Sequence, residues 1–125
     1  MRTIATRELG GGSGRMADIR SWAQDLLGDV DGETRADAVL VLDELVSNAL
    51  HHGAAPARVR LVREPGCLRI EVTDGSRRPA RPRTPDRTGG RGLVLVEACA
   101  RGWGQWWHGD GKTVWAELPV TAAAG

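Results

Sequence analysis

The chain has 125 residues, 41% of them hydrophobic, and its charges cancel to +1. That length suits a single domain burying roughly two thirds of its unfolded surface. Near-neutrality excludes the broad positive field of a nucleic-acid binder, and no apolar run reaches the ~20 residues that cross a bilayer, so neither nucleic acid nor membrane is expected as a partner. Five Trp stand beside no Phe and no Tyr, so Trp, Leu, Val and Ile must fill the core. Cys67 and Cys99 lack the close spacing of a metal knuckle. With no hydrophobic leader, they read as reduced, buried packing residues of a soluble cytoplasmic protein.

In chain order, Thr3 to Leu9 predicts a short strand stopped by Gly10-Gly11-Gly12. Ser13 is a suitable N-cap for a helix whose Ile19, Trp22, Ala23, Leu26 and Leu27 share one face, with Gly28 as its stop. Asp31 caps a second helix, Glu33 favours its first turn, and Gly53 closes it. In that helix Val39, Leu42, Leu45, Val46, Ala49 and Leu50 predict the buried sector, leaving Glu44, Asn48 and His51 on the opposite side. Asn is a weak helix former, and its place one turn after a glutamate invites a functional explanation beside the plain one of a solvated face.

Val59 and Leu61 alternate with arginines, Glu64-Pro65-Gly66 turns the chain, and Leu68, Ile70 and Val72 alternate on the return toward Thr73-Asp74-Gly75-Ser76. From there to Arg91 no periodicity survives: six arginines and three prolines make a basic loop, functional or disordered at that length. Gly89-Gly90-Arg91-Gly92 then opens an apolar helix from Leu93 through Cys99 and Arg101 to a stop at Gly102. Trp103 to Trp107 and Thr113 to Leu118 form a hairpin around His108-Gly109-Asp110-Gly111. Residues 1–125 thus predict one α+β domain, a two-layer sandwich of a mixed sheet with helices on one face, a loop over about 75–91 and a frayed tail over 120–125.

Three pieces have chemistry suited to a nucleoside triphosphate. Asp74 ends a buried-looking strand and offers a carboxylate to an adenine amino group, with Gly75 allowing close backbone approach. The glycines around Arg91 precede a helix, where free N–H groups and the dipole favour phosphate. Asn48 offers an amide oxygen to Mg²⁺, and Glu44, one turn earlier, is suited to orient or deprotonate a hydroxyl. Each has a plainer alternative: a tight turn, a helix cap, an ion pair. No Lys-Ser or Lys-Thr follows the glycines, so this is not a P-loop.

The order ELVSNALHHG (44–53), VTDGS (72–76), GGRGLVLV (89–96) and GKTVWAEL (111–118) closely resembles the GHKL, or histidine-kinase-like, ATPase superfamily. The nearest branch is that of the small anti-sigma-factor serine/threonine kinases and the actinobacterial ATP-binding proteins like them. The resemblance runs from about the first helix to Leu118. It implies a Bergerat α/β sandwich, with ATP and Mg²⁺ as cofactors. It makes Glu44 the candidate catalytic base, Asn48 the metal ligand and Asp74 the adenine-reading carboxylate. Ser76, Gly90, Arg91, Gly92 and Leu93 would line the phosphates and lid, and Thr113 would lie near the adenine. Ser76 departs from the usual glycine and must tolerate a backbone that glycine finds easier. His51 and His52 read as hydrogen-bonding side chains.

The implied function is γ-phosphate transfer from ATP to a serine or threonine of an antagonist protein. The implied partners are that antagonist, a sigma factor, or a second copy in a homodimer. A non-catalytic ATP-binding switch that changes a partner surface is the alternative.

Overall fold

The alternating runs become strands and the periodic runs helices in the computed structural model, which describes residues 3–9, 15–52, 54, 56–76, 92–109 and 111–120. In order these are β1 (Thr3–Leu9), α1 (Arg15–Leu26), α2 (Gly32–His52), β2 (Ala57–Glu64), β3 (Cys67–Asp74), α3 (Gly92–Cys99), β4 (Gly102–His108) and β5 (Gly111–Pro119). Asp31 caps α2 as its side chain predicts: its Oδ2 accepts the backbone N–H of Thr34 at 3.1 Å and the Thr34 hydroxyl at 3.0 Å. These two bonds lower the Asp31 carboxyl below its ordinary value. Pro65-Gly66 joins β2 to β3 in a two-residue turn, and Gly66 takes the φ of 78° that a side chain would resist.

The five strands lie in the order β1-β2-β3-β5-β4, and every neighbouring pair is antiparallel. The expected mixed sheet is corrected to this extent. β3 and β4 do run the same way and are joined through α3, but β5 lies between them, so the parallel relation never falls on hydrogen-bonded neighbours.

One sheet face carries Val59, Leu61, Leu68, Ile70, Val72, Val114, Ala116 and Leu118 into a single core with Ile19 and Ala23 of α1, Leu42, Leu45 and Val46 of α2, and Val96 of α3. Helix α2 touches β2, β3 and β5 as well as α1 and α3, so it is the centre of the helical layer. Arg20 of α1 binds both carboxylate oxygens of Asp43 on α2, at 2.8 and 2.9 Å. The other sheet face mixes charged side chains with Val62, Trp106 and Trp115. There Arg69 pairs with Glu117, approaches Glu71 at 3.9 Å and lies 5.3 Å over the ring of Trp115.

The buried sector of α2 is rotated from the one read in the sequence. Ala38 and Val41 are buried, whereas Val39 and Leu50 are only half-buried. At about 100° per residue this moves the centre of the buried sector by roughly 50°, and Asn48 comes to lie about 90° from it rather than opposite. Helix α3 ends at Cys99, two residues before the expected Arg101, because the Arg101 N–H is captured by the Glu117 carbonyl at 2.9 Å as the chain enters the sheet. Both cysteines are free thiols but half-buried rather than fully enclosed, and burial raises the Cys99 thiol above its ordinary pKa, with a smaller push from Asp37.

Candidate functional site

Strand direction gathers the chemistry-bearing segments at one end of the sheet. β3 finishes there at Asp74, β5 starts there at Gly111, and β4 finishes there at His108. The C-terminal end of α2 arrives at the same end, because β2 starts opposite the end of β3, with Arg58 facing Thr73. The Gly75 N–H donates to the Ala54 carbonyl at 2.6 Å, which fastens the end of β3 to the segment leaving α2. That bond occupies the Gly75 N–H.

Asp74 lies on the helix-facing side of the sheet, with its side chain 1% exposed. Sequence reading gave it no protein partner, yet it has one. Lys112 Nζ donates to Oδ1 at 3.2 Å and to Oδ2 at 2.9 Å, and the lysine side chain is only 3% exposed. The Ser76 N–H adds a third bond to Oδ1 at 2.6 Å, closing an Asx turn across Gly75. A carboxylate has about four acceptor positions, so these three bonds leave one for a ligand donor. No described residue other than glycine has a positive φ, so Ser76 sits there without the strain that its replacement of glycine suggested.

Lys112, the partner of the candidate site residue Asp74, was missed from the sequence, and a signal for its position was present. It shares the alternation of Val114, Ala116 and Leu118, all buried, whereas Thr113 has the opposite parity. Thr113, expected near the adenine, does not share the face of Asp74. Its register partner is Thr73, its hydroxyl is 2.8 Å from that of Thr73 and 3.3 Å from His108 Nε2, and it lies on the face away from the helices. The residue that faces the helices with Asp74 is Lys112. Gly111, which precedes it, must be glycine. A Cβ there would collide with the Asp74 carbonyl oxygen and stand 2.9 Å from Gly75 Cα, and its φ is 153°.

Glu44 and Asn48 occupy neighbouring turns of α2, both half-buried. Burial raises the Glu44 carboxyl above its ordinary pKa, and Asp43 adds a smaller push in the same direction. No described residue forms an ion pair with Glu44, so the plain ion-pair explanation finds no support among them. Asn48 contributes a neutral oxygen on that flank. No cluster of three His, Cys, Asp or Glu exists among the described residues. One amide oxygen is the donor set expected for an ion held mainly by phosphates and water, and it fits Mg²⁺ in that role. His51 is exposed, with its Nδ1 3.1 Å from the Ser47 hydroxyl, a hydrogen-bonding side chain as read.

Gly92 opens α3, and Leu93 buries its side chain in the core, 3% exposed, so only its backbone is placed to meet a phosphate. Gly90, Arg91, the basic stretch to Arg87, Gly53 and the His52 side chain lie outside the described residues. So does the tail over 121–125; Val120, assigned to that tail, is buried, and its N–H donates to the Gly66 carbonyl at 3.2 Å.

The fold gathers these segments at one end of an α/β sandwich. The profile of the histidine kinase-like ATPase domain matches residues 13–117, and the chain belongs to that family. Among solved structures, the RsbU and RsbW domains of Rv1364c from Mycobacterium tuberculosis superpose with a TM-score of 0.73 at 20% identity, over 98% of this chain and 33% of that one. The histidine kinase domain of the blue-light activated histidine kinase EL346 from Erythrobacter litoralis superposes with a TM-score of 0.52 at 23% identity, over 86% of this chain and 60% of that one. The chain thus spans about a third of the first and three fifths of the second, and at these identities the likeness is one of fold. No curated protein matches the chain by sequence. No helix among the described residues is long and apolar enough to cross a membrane.

Proposed function

We propose that the protein binds ATP with Mg²⁺ and transfers the γ-phosphate to a serine or threonine of a protein partner, in the manner of an anti-sigma-factor kinase. The carrying observation is the flank of α2: a half-buried glutamate whose carboxyl burial raises above its ordinary pKa, one turn from Asn48, at the sheet end that holds Asp74. A carboxylate with a raised pKa is a better proton acceptor near pH 7 than an ordinary one. Family membership and the RsbW domain within a similarly folded structure support the nucleotide and kinase parts of the reading.

In this scheme Asp74 accepts the adenine amino group, Asn48 gives its amide oxygen to Mg²⁺, and the N–H groups at the start of α3 meet the phosphates. Bound Mg²⁺ supplies charge neutralisation on the phosphate oxygens. The attacking hydroxyl passes its proton to Glu44 as the new O–P bond forms. The bond from the γ-phosphorus to the bridging oxygen breaks, and ADP leaves with that electron pair. The partner is an antagonist protein or sigma factor in a cytoplasmic setting, and a homodimer is compatible with this use.

The test follows label from [γ-³²P]ATP and Mg²⁺ into candidate antagonist proteins, with the parent and Glu44→Gln compared at equal ATP occupancy. The expected result is transfer by the parent and a loss of 100-fold or more in the variant, about the contribution of a positioned base. Equal, absent transfer in both proteins with ATP bound would leave a nucleotide-dependent switch and refute the kinase.

A further inference from the structure

The Asp74–Lys112 pair occupies the last helix-facing row shared by β3 and β5. The two groups lie at the end of their strands, on the helix-facing side. The row continues through the cross-strand partner Trp107 on β4, which is 44% exposed, so the pair stands at the margin of the core rather than its centre. Lys112 Nζ and Asp74 Oδ2 are 2.9 Å apart, which places a donor beside an acceptor. An ammonium has three N–H groups and cannot accept; Nζ lies 3.2 and 2.9 Å from the two carboxylate oxygens, and at most two of its N–H groups are needed for those contacts. Asp74 keeps one acceptor position.

We infer that Lys112 is a specificity-determining residue of the nucleotide site, holding Asp74 in place and donating its third N–H to N1 of the adenine ring while Asp74 accepts from the adjacent N6 amino group. This deepens the ATP reading and rests on it. The adenine edge presents a donor (N6–H) next to an acceptor (N1), and the pair presents the complementary acceptor and donor. Thr113, turned to the opposite face, cannot fill this role.

The assignment predicts a coupling between one protein group and one ligand atom, which a merely structural lysine would not produce. Binding of ATP and of 1-deaza-ATP, in which N1 is replaced by C–H, is measured by calorimetry for the parent and for Lys112→Met, with folding checked by circular dichroism. Hydrogen bonds from charged donors are strong enough for the parent to bind 1-deaza-ATP about tenfold or more weakly than ATP. Lys112→Met is expected to bind both ligands equally. If the methionine variant does not fold, Lys112→Ser replaces it, a smaller polar side chain too short to reach the base. Equal binding of the two ligands by the parent, or a discrimination that survives in the variant, overturns the role of Lys112 while leaving ATP binding intact. A folded parent that binds neither ligand overturns the nucleotide reading, and this inference with it.

Discussion

The buried pair makes a sharp prediction about stability that is independent of any ligand. Asp74 and Lys112 are each 2% exposed as whole residues, and they satisfy one another through two contacts. Lys112→Met leaves a carboxylate buried with a single remaining donor, the Ser76 N–H. Removing one member of a buried ion pair costs about 3–5 kcal/mol, because the other charge stays desolvated. Against a total stability of about 5–15 kcal/mol this is a large share. At about 3–5 °C per kcal/mol for a chain of this length, it amounts to a fall in Tm on the order of 10–20 °C. Asp74→Leu should cost a comparable amount by stranding the ammonium. The double variant Asp74→Leu/Lys112→Met removes both charges and should recover most of the loss, with a coupling above about 2 kcal/mol. Urea unfolding of the four proteins measures the cycle. Single variants within about 1 kcal/mol of the parent, or losses that simply add, would show that the two groups are not a desolvated pair.

Glu44 yields a pH-dependent prediction. Its folded carboxyl is raised, so the native state holds the proton more tightly than the unfolded chain, and stability falls as pH rises from the ordinary glutamate range through the folded value. Glu44→Gln removes this penalty: thermal unfolding should find it at least as stable as the parent at pH 7.5, with the difference shrinking near pH 4, and a less stable variant at pH 7.5 would contradict the desolvated site. Gly111→Ala forces a Cβ against the Asp74 carbonyl oxygen at a backbone angle that side chains avoid. A cost of about 1–3 kcal/mol from strain alone is expected in urea unfolding, with ATP binding weakened in step because the backbone that must move carries Asp74.

Most of the fold was legible because local signals and global packing agree. Asp31 is both the best cap by residue type and the observed cap, and Pro65-Gly66 is both the turn signal and the observed turn. Misreadings arose where a non-local partner decided the outcome. The end of α3 depends on Glu117, a distant strand residue that captures the Arg101 N–H. The buried sector of α2 depends on which neighbours press on Val41 and Ala38, and periodicity alone accommodates either rotation. Antiparallel pairing throughout depends on β5 inserting between β3 and β4, which no local run encodes. At the site, the family pattern pointed to a threonine, while the alternation of β5 assigns the helix-facing position to its neighbour Lys112.

The pair itself argues that this end of the sheet was shaped for binding rather than for stability. A buried ion pair seldom outperforms apolar side chains of similar volume, and replacement by well-packed hydrophobic groups is often neutral or stabilising by about 1–4 kcal/mol. The rows just inside it, Val72 with Val114 and Ile70 with Ala116, are of that apolar kind. Only in the last row of β3 and β5, where α2 ends and α3 begins, do an acid and a base replace aliphatic side chains. A lone buried acid would be poorly tolerated, so a site that needs a fixed carboxylate needs a fixed cation beside it. Lys112 meets that requirement from within the protein.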